Sequence, residues 1–137
     1  MDRVVKVYTD GASRGNPGPS SIGILIINEE GKEIKRISEY IGTTTNNIAE
    51  YRALLRAIME CRKLKFGSVQ FFTDSQLLAN QINGIYRVTN EDLKPLYVKL
   101  KGELLSFKGW GVIYIPREKN SIADFLANQA LDRRERK

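Results

Sequence analysis

The chain has 137 residues and a net charge of +6, with 22 Lys and Arg against 16 Asp and Glu, a length that suits one domain over residues 1–137 and a balance that favours a polyanionic partner such as nucleic acid. With no histidine and a single cysteine, Cys61, it can build neither an intrachain disulfide nor a Cys/His zinc site, and imidazole-based catalysis is excluded. No stretch approaches the ~20 apolar residues of a membrane span, and the start, Met1 to Lys6, has no long apolar run, so a cytoplasmic protein is expected, with no membrane partner and no obligate protein partner.

Residues 3–9 alternate valines with polar residues, and residues 21–28 form a short apolar run; both predict strands on either side of a Gly/Pro-rich loop. The turn Glu29-Glu30-Gly31-Lys32 leads to a third strand at 33–41, which makes the first half an antiparallel meander. From 47 to 64 the period becomes helical, with Ile48, Tyr51, Leu55, Ile58 and Met59 on one side and Arg52, Arg56, Glu60 and Lys63 on the other. A fourth strand at 69–73 runs into a short helix from Ser75, and another helix is expected over 91–107, interrupted near its start by Pro95. Residues 110–115 read as the fifth strand and 121–133 as the last helix, leaving a charged end at 133–137 that is expected to fray. The order βββαβααβα implies an α/β protein: a five-stranded mixed sheet, three antiparallel strands then two parallel, with helices on both faces.

Asp10 and Asp74 each end a strand before a change of direction, and Glu50 and Asp124 fall in the first turns of the long and last helices. Strand ends are where α/β sheets form their crevices, and four converging carboxylates would repel one another unless divalent cations neutralised them. Each acid also has a purely structural reading. Asn47 with Glu50, and Ser121 with Asp124, fit capping boxes; Asp74 can cap the helix after it; Asp10 before Gly11 can form a turn. Spacing alone leaves both readings open.

The local words narrow the choice. Residues 9–19, Thr-Asp-Gly-Ala-Ser-Arg-Gly-Asn-Pro-Gly-Pro, resemble the opening TDGxxxGNPGP motif of type 1 ribonucleases H. Residues 44–50 resemble their TTNNxxE helix start, 73–76 their TDSQ strand end and 120–124 their NxxxD, in the family's order. The resemblance implies the ribonuclease H-like fold and cleavage of the RNA strand of RNA–DNA hybrids by two Mg2+ ions, with Mn2+ expected to substitute, leaving 5′-phosphate and 3′-hydroxyl ends. It further implies that Asp10 bridges both ions, that Asp124 completes the ion on the nucleophile's side, and that Glu50 and Asp74 hold the ion on the side of the departing 3′ oxygen. Ser13, Gly15, Asn16, Asn46 and Gln76 would lie along the RNA strand near its 2′-hydroxyls, Thr45 and Asn47 would take a DNA phosphate, and Arg117 and Asn120 would also face nucleic acid. Double-stranded RNA is left open as a further substrate, since it too presents 2′-hydroxyls.

Two departures accompany the resemblance. The loop 116–120 lacks the histidine many members carry, with Glu118 the acid in its place, and the segment 82–91 is too short for the basic, tryptophan-containing protrusion of some members. Hybrid binding would then fall to dispersed cations such as Arg14, Lys94, Lys99, Lys101 and Arg117, and would be salt-sensitive. The readings from other classes are a non-catalytic binding module that kept the fold, and a different nuclease of the same superfamily.

Overall fold

The computed structural model describes residues 4–136; Arg3, the expected start of the first strand, and Lys137 lie outside the described residues. Strands β1 (Val4–Ser13), β2 (Gly18–Ile27) and β3 (Glu33–Thr44) are followed by helix α1 (Asn46–Lys63), strand β4 (Ser68–Thr73), helices α2 (Gln76–Ile82) and α3 (Lys94–Leu104), strand β5 (Gly109–Tyr114) and, after a 3-10 turn at Arg117–Lys119, helix α4 (Ser121–Glu135). One five-stranded sheet has the order β3-β2-β1-β4-β5. β1 pairs antiparallel with β2 and parallel with β4; β2 with β3 is antiparallel and β4 with β5 parallel.

β1 runs four residues past its expected end because its last residues pair with β2, Asp10 opposite Gly23 and Ser13 opposite Ser20, while its parallel pairing with β4 stops at Thr9 opposite Thr73. Asp10 therefore sits where a parallel neighbour ends and an antiparallel one continues. That opens a gap in the sheet beside a residue whose backbone is still held. Successive side chains point to opposite faces, and two glycines show which helix lies on each. A Cβ on Gly11 would stand 2.3 Å from the carbonyl carbon of Ala49 in α1, and one on Gly23 would stand 2.1 Å from the carbonyl oxygen of Ala123 in α4. The two helices thus cover opposite faces at van der Waals contact with the strand backbones.

The core fills the α1 side, where Val5, Val7, Ile22, Ile24, Ile26 and Phe71 of the sheet meet Tyr51, Leu54 and Ile58 of α1 and Leu100 and Leu104 of α3. Ala49, Ala53 and Ala57 are fully buried, their small size letting α1 approach the strands closely. Helix α3 begins at Lys94 rather than 91, since the Asn90 side chain accepts from the N–H groups of Asp92 and Leu93 and closes a turn there. The expected frayed end is instead helical through Glu135. Arg133 donates to the carbonyl of Ser38, 3.0 Å, and Arg134 lies over the Tyr40 ring at 4.7 Å, long-range contacts that periodicity does not reveal.

Glu60, expected on the solvent face of α1, is only 3% exposed. A buried carboxylate needs partners, and Glu60 has Lys35 at 2.7 Å from β3 and Arg56 at 3.1 Å from its own helix. The hydrogen bond from Lys35, joined by that from Arg56, outweighs burial and holds its carboxyl at about 2, below the ordinary 4.5. A lowered folded-state pKa stabilises above the unfolded value and loses that stabilisation as pH falls from about 4.5 to about 2. Glu60→Gln is expected to cost about 1.5–3 kcal/mol at pH 7, with the gap to the parent narrowing as pH falls from about 4.5 towards about 2 in urea unfolding. A gap independent of pH would refute this account.

Candidate active site

All four acids line one cavity of about 390 Å3, and each arrives by a different route. Asp10, in β1, is 5% exposed. Glu50 falls just beyond the first turn of α1 rather than within it, because the helix starts at Asn46, and is equally buried; its Oε1 accepts the Gly11 N–H at 2.8 Å. Asp74 follows directly on β4, and its Oδ2 accepts from Asn120 Nδ2 at 3.4 Å. Asp124 is in the first turn of α4, its side chain 31% exposed. Carboxylate oxygens of Asp10, Glu50 and Asp74 lie within 4.8 Å of one another, and among the described residues Asp124 stands outside that trio.

The structural readings of these acids do not hold. Helix α1 is capped by Thr45, whose hydroxyl accepts the Ile48 N–H, and α2 by Ser75, which accepts from Leu78. Neither Asn47 nor Asp74 is used as the cap. Helix α4 begins at Asn120 without a side-chain cap, so no capping box employs Asp124. The acids are free for other work, at an electrostatic cost. Burial, then Asp74 and Asp124, push the Asp10 carboxyl up to about 8 from 3.8. Burial, then Asp10 and Asp74, push Glu50 well above its ordinary value against the opposing Gly11 N–H, and burial raises Asp74 while Asn120 and Arg117 oppose it. Such mutual repulsion is what a bound cation would relieve. The donors are all hard oxygens, as divalent cations of the Mg2+ type prefer, and Asp10, Glu50, Asp74 and Asp124 are the residues that could hold them.

Of the expected substrate contacts, Ser13, Asn46 and Arg117 line the same cavity. Asn16, Thr45 and Asn47 line a neighbouring one of about 180 Å3, together with Asn90 and Asp92. The two cavities are joined where Asn16 Oδ1 accepts the Asn46 N–H at 3.0 Å. Ser13 Oγ bonds the carbonyls of Gly15 and Thr44, shaping the loop in which Gly15 takes φ +114. Gly15 and Gln76 are exposed and line neither cavity.

Asn120 corrects the reading made of it. It is 1% exposed and cannot face nucleic acid; its Nδ2 donates to the Thr9 carbonyl at 2.8 Å and to Asp74, tying β1 to the acid after β4. Glu118 is exposed and is not among the residues lining the carboxylate cavity. Arg14 and Lys101, expected as free cations, are engaged within the protein: Arg14 with Asp132 and Glu135, Lys101 with the Ile82 carbonyl and the Trp110 ring. Asn90, Asp92 and Asn128 were not singled out from sequence. Of these only Asn128, four residues after Asp124 and so on the same helix face, carried a signal.

A family model described as reverse transcriptase-like matches residues 8–130. A ribonuclease HI of Halobacterium salinarum is 38% identical over 93% of this chain, and the solved structure of RNase H1 from that organism covers 94% of this chain and 98% of its own, with a TM-score of 0.92. A ribonuclease H of Rickettsia typhi is 36% identical over 94% of this chain and 91% of its own length. An RNase H1 isolated from compost, solved in complex with an RNA/DNA hybrid, is 40% identical over 94% of this chain and 97% of its own, with a TM-score of 0.89. The chain spans 64% of the length of the halobacterial protein and 35% of that of mycobacterial relatives. No helix among the described residues is long and apolar enough to cross a membrane.

Proposed function

The chain belongs to the type 1 ribonuclease H family, and we propose from that premise that it is a cytoplasmic endoribonuclease that hydrolyses the RNA strand of RNA–DNA hybrids, leaving 5′-phosphate and 3′-hydroxyl ends. The observation that carries the proposal is the approach of Asp10, Glu50 and Asp74 within 4.8 Å, with Asp124 in the same cavity and no use of these acids as helix caps. Two Mg2+ ions, or Mn2+ in their place, would supply Lewis-acid stabilisation of the phosphodiester and a more acidic water.

The chain's own residues do the positioning. Asp10 would bridge the two ions, Asp124 would hold the nucleophile's side and Glu50 with Asp74 the leaving-group side. The Gly11 N–H orients Glu50, and Asn120 orients Asp74. Ser13, Gly15, Asn16, Asn46 and Gln76 would read the RNA strand, where Asn and Gln can both donate to and accept from a 2′-hydroxyl. Thr45 and Asn47 would take a phosphate of the DNA strand, with Thr45 committing its hydroxyl oxygen to the helix cap and leaving its O–H to donate. Arg117, three residues before the buried Asn120 and 79% exposed in its side chain, would meet an incoming phosphate.

The test is parallel cleavage of end-labelled RNA–DNA hybrid, double-stranded RNA, double-stranded DNA and single-stranded RNA with Mg2+, Mn2+ or EDTA. The expected result is metal-dependent cutting of the hybrid's RNA strand; added cutting of double-stranded RNA would widen the substrate range. Folded protein that cuts nothing in either metal would convert the reading to a binding module.

A further inference from the structure

We propose that Asn128 and Arg14 act together as the positioning pair of Asp124, tying the fourth acid of the cavity to the loop between β1 and β2. The proposal rests on the metal-binding reading of that acid. Of the partners of Asp124, Arg117 is 3.6 Å away and largely in solvent. Asn128, one helical turn on, supplies its firmer contacts. Asn128 Nδ2 donates to the Asp124 carbonyl at 3.0 Å and to its Oδ1 at 3.3 Å.

An amide can be turned either way unless its neighbours decide, and here Arg14 decides. Arg14 Nη2 donates to Asn128 Oδ1 at 3.3 Å. Reversing the amide would set its NH2 against the guanidinium, two donors face to face, and its oxygen against the carboxylate. Arg14 is itself held, by Asp132 at 2.7 Å and Glu135 at 2.7 Å, and its backbone N–H donates to the Pro19 carbonyl at 2.9 Å across the loop. The residues at 124, 128, 132 and 135 form a single stripe along α4, and Arg14 meets the last three of them from the loop that holds Gly15 and Asn16.

This arrangement does two things that an ordinary surface ion pair does not. It occupies one Asp124 oxygen, Oδ1, with a hydrogen-bond donor, which leaves the other oxygen available to a cation. It also gives Arg14 three acceptors inside the protein, so that Arg14 serves the geometry of the site rather than a phosphate. Partners of this kind around metal-binding groups are commonly worth about 10- to 100-fold in metal affinity or activity.

The test is an Mn2+ titration of the nucleic-acid-free protein, followed by the paramagnetic resonance of free Mn2+, alongside the Mg2+ concentration that gives half-maximal hybrid cleavage. Asn128→Ala is expected to weaken Mn2+ binding about tenfold and to raise the Mg2+ requirement in step. It should leave thermal unfolding nearly unchanged, because it removes no core contact. Arg14→Met should act in the same direction, and the double variant should be no worse than Asn128→Ala, since both substitutions break one chain of contacts. Arg14→Lys, which keeps the charge, should retain part of the affinity that Arg14→Met loses. Unchanged Mn2+ binding in Asn128→Ala, or additive losses in the double variant, would overturn the proposal and leave Arg14 as a staple between the loop and α4. If the parent binds no Mn2+ and cuts no hybrid, the proposed function fails with it; if the parent does both and Asn128→Ala matches it, only the positioning role fails.

Discussion

Asp10→Asn is expected to abolish hybrid cleavage while leaving the metal-free protein at least as stable as its parent. The loss follows from position: Asp10 would serve both ions, and removing a charge stabilisation of several kcal/mol, at about 1.4 kcal/mol per decade, lowers the rate by about 10^3-fold or more. The stability follows from electrostatics. Asp10 is raised from 3.8 to about 8, first by burial and then by Asp74 and Asp124. A group whose folded-state pKa lies above its unfolded value favours the folded state while protonated. Its contribution is complete below about 3.8 and is lost as pH rises through about 8. At neutral pH and above, the metal-free parent therefore bears a cost that an uncharged asparagine of nearly the same shape does not. Thermal unfolding in EDTA across pH should show the variant's curve rising above the parent's between about pH 4 and 8, and added Mg2+ should raise the parent's midpoint more than the variant's. Cleavage at the parental rate would remove Asp10 from the site altogether.

Gly11→Ala and Gly23→Ala carry the second-largest expected effect, because each would place a methyl group inside backbone. At Gly11 the new carbon would lie 2.3 Å from the Ala49 carbonyl carbon and 2.4 Å from the Glu50 nitrogen. Helix α1 would have to withdraw from β1, lengthening the Gly11 N–H bond to Glu50. At Gly23 the carbon would lie 2.1 Å from the Ala123 oxygen and 2.6 Å from the Ala127 nitrogen, so α4 would shift and take Asp124 with it. Overpacking against backbone has no rotamer to relieve it, and about 2–4 kcal/mol of destabilisation is expected for each. A displacement near 1 Å in a catalytic constellation can cost about 10^2 in rate. Cleavage should therefore fall even at temperatures where both variants remain folded. Parental stability and rate in both would show that these glycines do not set the approach of the helices.

The same two glycines mark how far sequence reading reaches. The strand words around Asp10 and Asp74, the helical period after Thr45 and the order βββαβααβα suffice for a five-stranded mixed sheet, and the four motif words single out the four acids. What they leave open is which structural role competes with the chemical one at each acid. Asn47 and Thr45 are both adequate caps for α1, and Asp74 and Ser75 for α2; only the geometry shows that Thr45 and Ser75 cap and that Asn47 and Asp74 do not. Glu60 looks like any charged residue on a helix face until β3 brings Lys35 beside it.

What this sequence determines by itself is therefore local: periodicity, turns, and the chemical identity of groups able to hold a cation, because these depend on residues within a strand pleat or a helical turn of one another. The tertiary structure alone decides what depends on distant segments meeting. It buries Asn120 between Thr9 and Asp74, folds the charged end of α4 onto Arg14 and Ser38, and brings Asp124 into one cavity with Asp10, Glu50 and Asp74. The physical reason is that burial and charge pairing belong to the packed environment of a residue, and for these residues that environment is supplied by elements up to more than a hundred positions away in the chain.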